Sequence, residues 1–174
     1  MLPSLVKGGF YHAGQVCVSV QRVLAPRAMA EDLAPRIPDA ASKLTVGNAI
    51  HEATEVGPLI PPRAVARLEQ WVYESRDGGA TVVTGGDRLG HTTYAPTVLL
   101  DPPADAKVSH SEIFGPVVNV HSYDSLDQAI AMSNALPFAF QSSVFTSNID
   151  VAMCCVREIE AAAVMVNDHT AFRV

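Results

Sequence analysis

Short runs of apolar residues alternate along this chain with stretches in which apolar residues return every three or four positions. The first pattern reads as buried strands and the second as amphipathic helices. Strands are predicted over Val18–Ala25 (VSVQRVLA), Ala80–Gly86, Ala95–Leu100, Pro116–Tyr123, Gln141–Ser147 and Ala162–Asp168. Between them, Arg63–Gly79 places Val65, Leu68 and Val72 on one helical face, with Gly78 as the stop. Asp124–Leu136 places Leu126, Ala129, Ile130 and Ser133 together, behind a Ser125/Gln128 capping box. Asn148–Ala161 turns Ala152, Cys155, Val156 and Ile159 inward. Arg27–Leu44 is helical in character, but Pro35 and Pro38 are expected to break or kink it. Thr45–Pro62 reads as a loop punctuated by Gly57-Pro58 and Pro61-Pro62. Alternation of strand and helix indicates an α/β fold: three layers, α/β/α, around a mostly parallel open sheet.

Composition narrows the class. The 174 residues suffice for one domain with a sizeable core, and 48% hydrophobic against 17% charged is a folded composition. The formal charge of −6 comes with no basic stripe, so nucleic acid is not an expected partner. No apolar run is long enough to span a membrane, and MLPSLVKGGF lacks the apolar core of a secretion signal. Three cysteines, Cys17, Cys154 and Cys155, do not make a disulfide framework and suit a reducing compartment, the cytoplasm.

Two stretches carry candidate chemistry. In GGFYHAGQVCVSVQRVLAP (Gly8–Pro26), Cys17 sits between a small-residue loop and an apolar strand. A thiol with a free pKa of about 8.5 is already a good nucleophile as its minor thiolate. Ala13 and Gly14 would let a carbonyl approach, and backbone N–H groups of a turn would face the oxygen as it becomes negative. A packed structural cysteine is the competing reading. In SEIFGPVV (Ser111–Val118), the Glu112 carboxylate can accept two ribose hydroxyls and Phe114 can cover a flat ring, or the stretch is an ordinary loop. Cys154 and Cys155 are adjacent on a helix, about 100° apart, and cannot jointly hold one metal. None of the six histidines pairs with another at metal-ligand spacing, and His110-x-Glu112 lacks the P-C-x-x-C that zinc deaminases require, so no metal site is expected. His12, five residues before Cys17, is either its base or a surface residue. Neither a G-x-G-x-x-G nor a P-loop occurs, so no phosphate cradle is expected in this chain.

The ordered set FYHAGQVC (Phe10–Cys17), GPLI (Gly57–Ile60), GGATVVTGG (Gly78–Gly86), YAPTVL (Tyr94–Leu99), SEIFGPVV (Ser111–Val118) and VMVN (Val164–Asn167) resembles the catalytic domain of the NAD(P)-dependent aldehyde dehydrogenase superfamily. The resemblance covers nearly the whole chain. It implies that Cys17 attacks an aldehyde, that hydride passes to NAD or NADP, and that water hydrolyses the resulting thioester. It further implies that Glu112 holds the nicotinamide-side ribose, that Phe114 lies against the nicotinamide, and that Asn167 reaches the substrate pocket. The tail VNDHTAFRV is similar to the branch that handles lactaldehyde and phosphonoacetaldehyde. There His169 and Arg173 would suit an anionic group.

Departures from the pattern shape the remaining expectations. Sixteen residues precede Cys17, and the Glu-Leu-Gly-Gly-type stretch that carries the family's general base is not among them. Residues 1–174 are therefore expected to be a single catalytic domain, a fragment lacking the cofactor-binding domain and the C-terminal oligomerisation segment. Such a fragment is expected to be inactive alone and homo-oligomeric when complete. A non-catalytic fragment kept for association is the alternative, and a cysteine hydrolase pairing Cys17 with a histidine is a third. Ala139-Phe140 stands where Gly-Leu is usual.

Overall fold

The computed structural model describes residues 1–137 and 140–170. Among the described residues, six α-helices and six strands follow in the order α1 (Leu2–Phe10), β1 (Arg22–Pro26), α2 (Arg27–Ala41), α3 (Pro62–Asp77), β2 (Thr81–Thr84), β3 (Thr97–Leu100), α4 (Lys107–His110), β4 (Val117–Tyr123), α5 (Leu126–Asn134), β5 (Gln141–Val144), α6 (Ile149–Glu158) and β6 (Ala163–Val166). Four strands form one sheet in the order β1-β4-β3-β2, and β5 and β6 form a second. All neighbours are parallel except β2, which runs antiparallel to β3. The expected α/β fold with a mostly parallel sheet is present, its strands divided between two sheets.

Strand β4 lies in the middle of the larger sheet, and its first five residues are all buried. A parallel strand covered on both faces loses the usual polar alternation. Val118 meets α1 on one face, where a Cβ added at Gly9 would lie 2.5 Å from its Cγ2. On the opposite face the Asn119 Nδ2 donates to the Val108 carbonyl of α4 (2.6 Å). Arg22, paired with Asn119 across the sheet, reaches α5, donating to the carbonyls of Met132 (3.0 Å) and Ser133 (3.2 Å). These contacts define the three layers. On α3, Val65, Leu68 and Val72 are buried, as their spacing predicts. Each contributes roughly 1.5–3 kcal/mol through burial.

Four expectations are corrected. Helix α2 runs unbroken through Pro35 and Pro38. Its Ala30, Leu33, Ile37 and Ala41 form one buried stripe, and that packing outweighs the lost backbone bonds. Strand β1 begins at Arg22 rather than Val18, because the Val20 N–H is taken by the Gly8 carbonyl (2.9 Å). Gly8 and Gly9, expected in a loop, lie in helix α1, with Pro3 in its first turn and Leu5, Val6 and Phe10 buried; the loop that carries Cys17 starts only after Gly14. On α6, Ala152 and Cys155 are buried but Val156 is 43% exposed. The 100° step from Cys155 carries Val156 off the inner face. Ala139 lies outside the described residues.

Candidate active site

Cys17 follows a single 3-10 turn at Tyr11–Gly14, in which His12 and Ala13 take left-handed backbone angles (φ 50° and 54°). Such angles are uncommon for residues with a Cβ and persist where the surroundings impose them. The turn throws Cys17 outward: its side chain is exposed, and the thiol is free. Among the described residues its backbone N–H has no acceptor. Farther along, Ser19 N–H donates to the Val16 carbonyl (3.0 Å) and Val20 N–H to that of Gly8 (2.9 Å). Cys17 therefore offers a nucleophile and an unclaimed donor on one residue, the pairing that carbonyl attack needs.

Two glutamines brace this loop. The Gln15 amide donates to the Pro58 carbonyl (3.2 Å) and accepts from the Ile60 N–H (2.9 Å), tying Gly57–Ile60 to the cysteine loop. The Gln21 amide donates to the Ser111 carbonyl (2.7 Å) and accepts from the Ile113 N–H (2.9 Å). Arg67 holds the same stretch from the other side through the Ile113 carbonyl (2.5 Å). Ile113 is 1% exposed, so extended geometry turns its neighbour Glu112 outward. The Glu112 carboxylate is exposed and makes no hydrogen bond or ion pair among the described residues. Phe114 follows with φ 49°, half-buried. Gly14, at φ 68°, packs onto the Gly115 carbonyl so closely that an added Cβ would overlap it.

Cys17, Glu112, Phe114 and His169 all line one cleft of about 910 Å³. It lies between β1 and β5, with α5 contributing Leu126 and Ile130. Asn167 does not line it: it closes β6 with φ 58°, and its amide accepts from the Thr146 N–H and donates to the Thr146 carbonyl, both at 2.9 Å. His169 is placed by the tail's return, in which the Thr170 hydroxyl donates to the Val18 carbonyl (2.6 Å). Arg173 lies outside the described residues. His12 is exposed and packs on the Tyr11 ring, centroids 5.2 Å apart. Among the described residues the buried Tyr11 hydroxyl has no hydrogen-bond partner, and its pKa is raised by burial and by the neighbouring Cys17 charge.

Sequence reasoning passed over Gln15, Gln21 and Tyr11. A polar residue inside the apolar run VSVQRVLA was the available signal for Gln21. Its partners, ninety residues away, had none. Among the described residues no cluster of His, Cys, Asp or Glu is placed to hold a metal, and no helix is long and apolar enough to cross a membrane.

The donor set fits half of a dinucleotide site. An unpartnered carboxylate and a half-buried aromatic border the cleft, while no glycine-rich phosphate turn accompanies them. Comparison with known proteins places the chain in a family. Residues 1–174 match the aldehyde dehydrogenase family profile. The 3-sulfolactaldehyde dehydrogenase of Priestia megaterium is 38% identical over 165 residues, which are 95% of this chain and 34% of that one. Aldehyde dehydrogenase 21 of Physcomitrella patens, solved with its product succinate, superposes with a TM-score of 0.95 at 34% identity, covering 99% of this chain and 36% of that one. Glyceraldehyde-3-phosphate dehydrogenase of Methanocaldococcus jannaschii, solved with NADP, gives 0.94 at 30% identity, covering 99% and 37%. The chain thus spans about a third of the length of the relatives it matches. With the profile matched from end to end, the chain belongs to the aldehyde dehydrogenase family.

Proposed function

We propose that this chain is the catalytic domain of an NAD(P)-dependent aldehyde dehydrogenase, with Cys17 as the nucleophile. The observation that carries the reading is the opening of Cys17, its unclaimed N–H and the Glu112 carboxylate onto one cleft. The Cys17 thiolate adds to the aldehyde carbon. The carbonyl oxygen gains the electron pair and is met by the Cys17 N–H, giving a thiohemiacetal. Loss of hydride from that carbon leaves a thioester, and water releases the acid and restores the thiol. NAD or NADP, when bound, supplies the hydride acceptor. Glu112 would hold a ribose of it and Phe114 would lie against its ring. The general base for the hydrolytic step is assigned to no residue of this chain.

The substrate read from the cleft is a small oxygenated or anionic aldehyde. His169 on the cleft wall supports this, as does the similarity to an enzyme of 3-sulfolactaldehyde. In this reading Arg173 is assigned to the anionic group of the substrate, and Asn167, whose amide is held by Thr146, acts only through the turn that follows β6. Three unpaired cysteines suit the cytoplasm. Activity requires a cofactor-binding half, and the complete enzyme is a homo-oligomer.

The test is chemical trapping in the form of the protein that carries its cofactor-binding half. Acid quenching during turnover, followed by peptide mass mapping, should find the acyl group on Cys17. Cys17→Ala should abolish both the adduct and aldehyde oxidation. Retained turnover in Cys17→Ala sinks the reading.

A further inference from the structure

We propose that Gln21 is the residue that positions Glu112, so that one rigid segment sets the spacing between thiol and carboxylate. The inference rests on the reading of Glu112 as a cofactor-holding group and extends it to a residue that touches neither cofactor nor substrate.

Gln21 treats the segment around Glu112 as a strand would. Its amide gives one donor to the Ser111 carbonyl and one acceptor to the Ile113 N–H, the two backbone groups that flank Glu112. The orientation of the amide is fixed by its partners: a carbonyl needs the NH₂ and an N–H needs the oxygen, so a flipped amide would lose both bonds. With those groups held, Ile113 enters the core and Glu112 must face the cleft. The Glu112 side chain has no anchor of its own among the described residues. Its direction is therefore set through the backbone.

The Gln21 backbone is itself tied to the sheet. Its carbonyl accepts from the Asn119 N–H of the buried central strand (2.9 Å), and the next residue begins β1. Cys17 stands four residues earlier on the same segment. A shift of the Ser111–Ile113 stretch relative to Cys17 would have to break both Gln21 bonds. Only an amide of this length serves: Met removes both bonds, and Glu keeps the acceptor for Ile113 but cannot donate to Ser111.

The experiment compares Gln21→Met, Gln21→Glu, Glu112→Gln and the double variant Gln21→Met/Glu112→Gln, in the form that carries the cofactor-binding half. Cofactor affinity is read by fluorescence titration with NAD and with NADP, and KM is read separately for cofactor and for aldehyde. Freeing two part-buried backbone groups should weaken cofactor binding by about tenfold in Gln21→Met. The aldehyde KM should stay within about twofold, Gln21→Glu should fall between, and the double variant should be no worse than Glu112→Gln. Amide exchange at Ile113, measured without cofactor, should quicken in Gln21→Met and much less in Gln21→Glu. A purely structural role would lower the active fraction and leave the cofactor constants untouched. That result, with Glu112→Gln impaired, overturns the role of Gln21 alone. Unchanged cofactor constants in Glu112→Gln overturn the reading of Glu112 and this inference with it. Should Gln21→Met fail to fold, Gln21→Glu carries the test, and wild-type constants in it overturn the proposal.

Discussion

Gly14 and Gly115 meet backbone to backbone. Gly14 holds φ at 68°, and a Cβ there would overlap the Gly115 carbonyl oxygen. This contact joins the turn before Cys17 to the turn after Glu112, so the two halves of the site share one wall. Gly14→Ala adds strain at a left-handed angle and forces the turns apart. It should cost about 2 kcal/mol or more, read from the urea midpoint. Gly90→Ala meets only ordinary contacts at 3.5 Å and should stay within about 0.5 kcal/mol of the parent. Equal effects for the two would show that the Gly14 contact is not a constraint.

His121 predicts how stability changes with acid. It lies buried on β4, and its pKa is lowered from 6.5 to about 4 by burial and by the Arg22 charge, against a smaller opposing effect of Asp101. The folded state therefore keeps the ring neutral while the unfolded chain takes up a proton below pH 6.5. The unfolded state binds more protons between pH 6.5 and 4, so stability falls across that window as pH drops and the loss is complete near pH 4. The loss from this group is about 3 kcal/mol. His121→Leu should flatten this part of the profile, measured by urea unfolding at pH 7, 5.5 and 4.5. Parallel profiles for the two proteins would remove His121 as the cause.

Pro35 is exposed in the interior of α2. It lacks the N–H that an interior helical position would donate, and its exposure leaves little burial for alanine to forfeit. Pro35→Ala should raise stability by roughly 1–3 kcal/mol, the helix gain being offset in part by the looser unfolded chain. A rise in melting temperature checks it. A fall would mean that the restriction Pro35 places on the unfolded chain outweighs the helix gain.

Local pattern set an element wherever one physical rule acted alone. The 3.6-residue spacing of Val65, Leu68 and Val72 buried that face of α3, and the Ser125 side chain caps α5 by accepting from the Gln128 N–H at 3.2 Å. GQVC and EIFGPV stood out in the sequence as candidate chemistry because a soft nucleophile and a loop carboxylate stand in small-residue or aromatic company. Long-range packing decided the rest. The stripe from Ala30 to Ala41 overrode two prolines, and burial of Leu5, Val6 and Phe10 supports a helix where the glycines read as a loop. Asn167, expected at the substrate pocket, spends its amide on Thr146. Gln21 shows the division most clearly. Its residue type determines that it can both donate and accept, but only the fold brings it to Ser111 and Ile113, ninety positions along the chain. A side chain's chemistry is local, whereas its partner is chosen by the burial of the whole core.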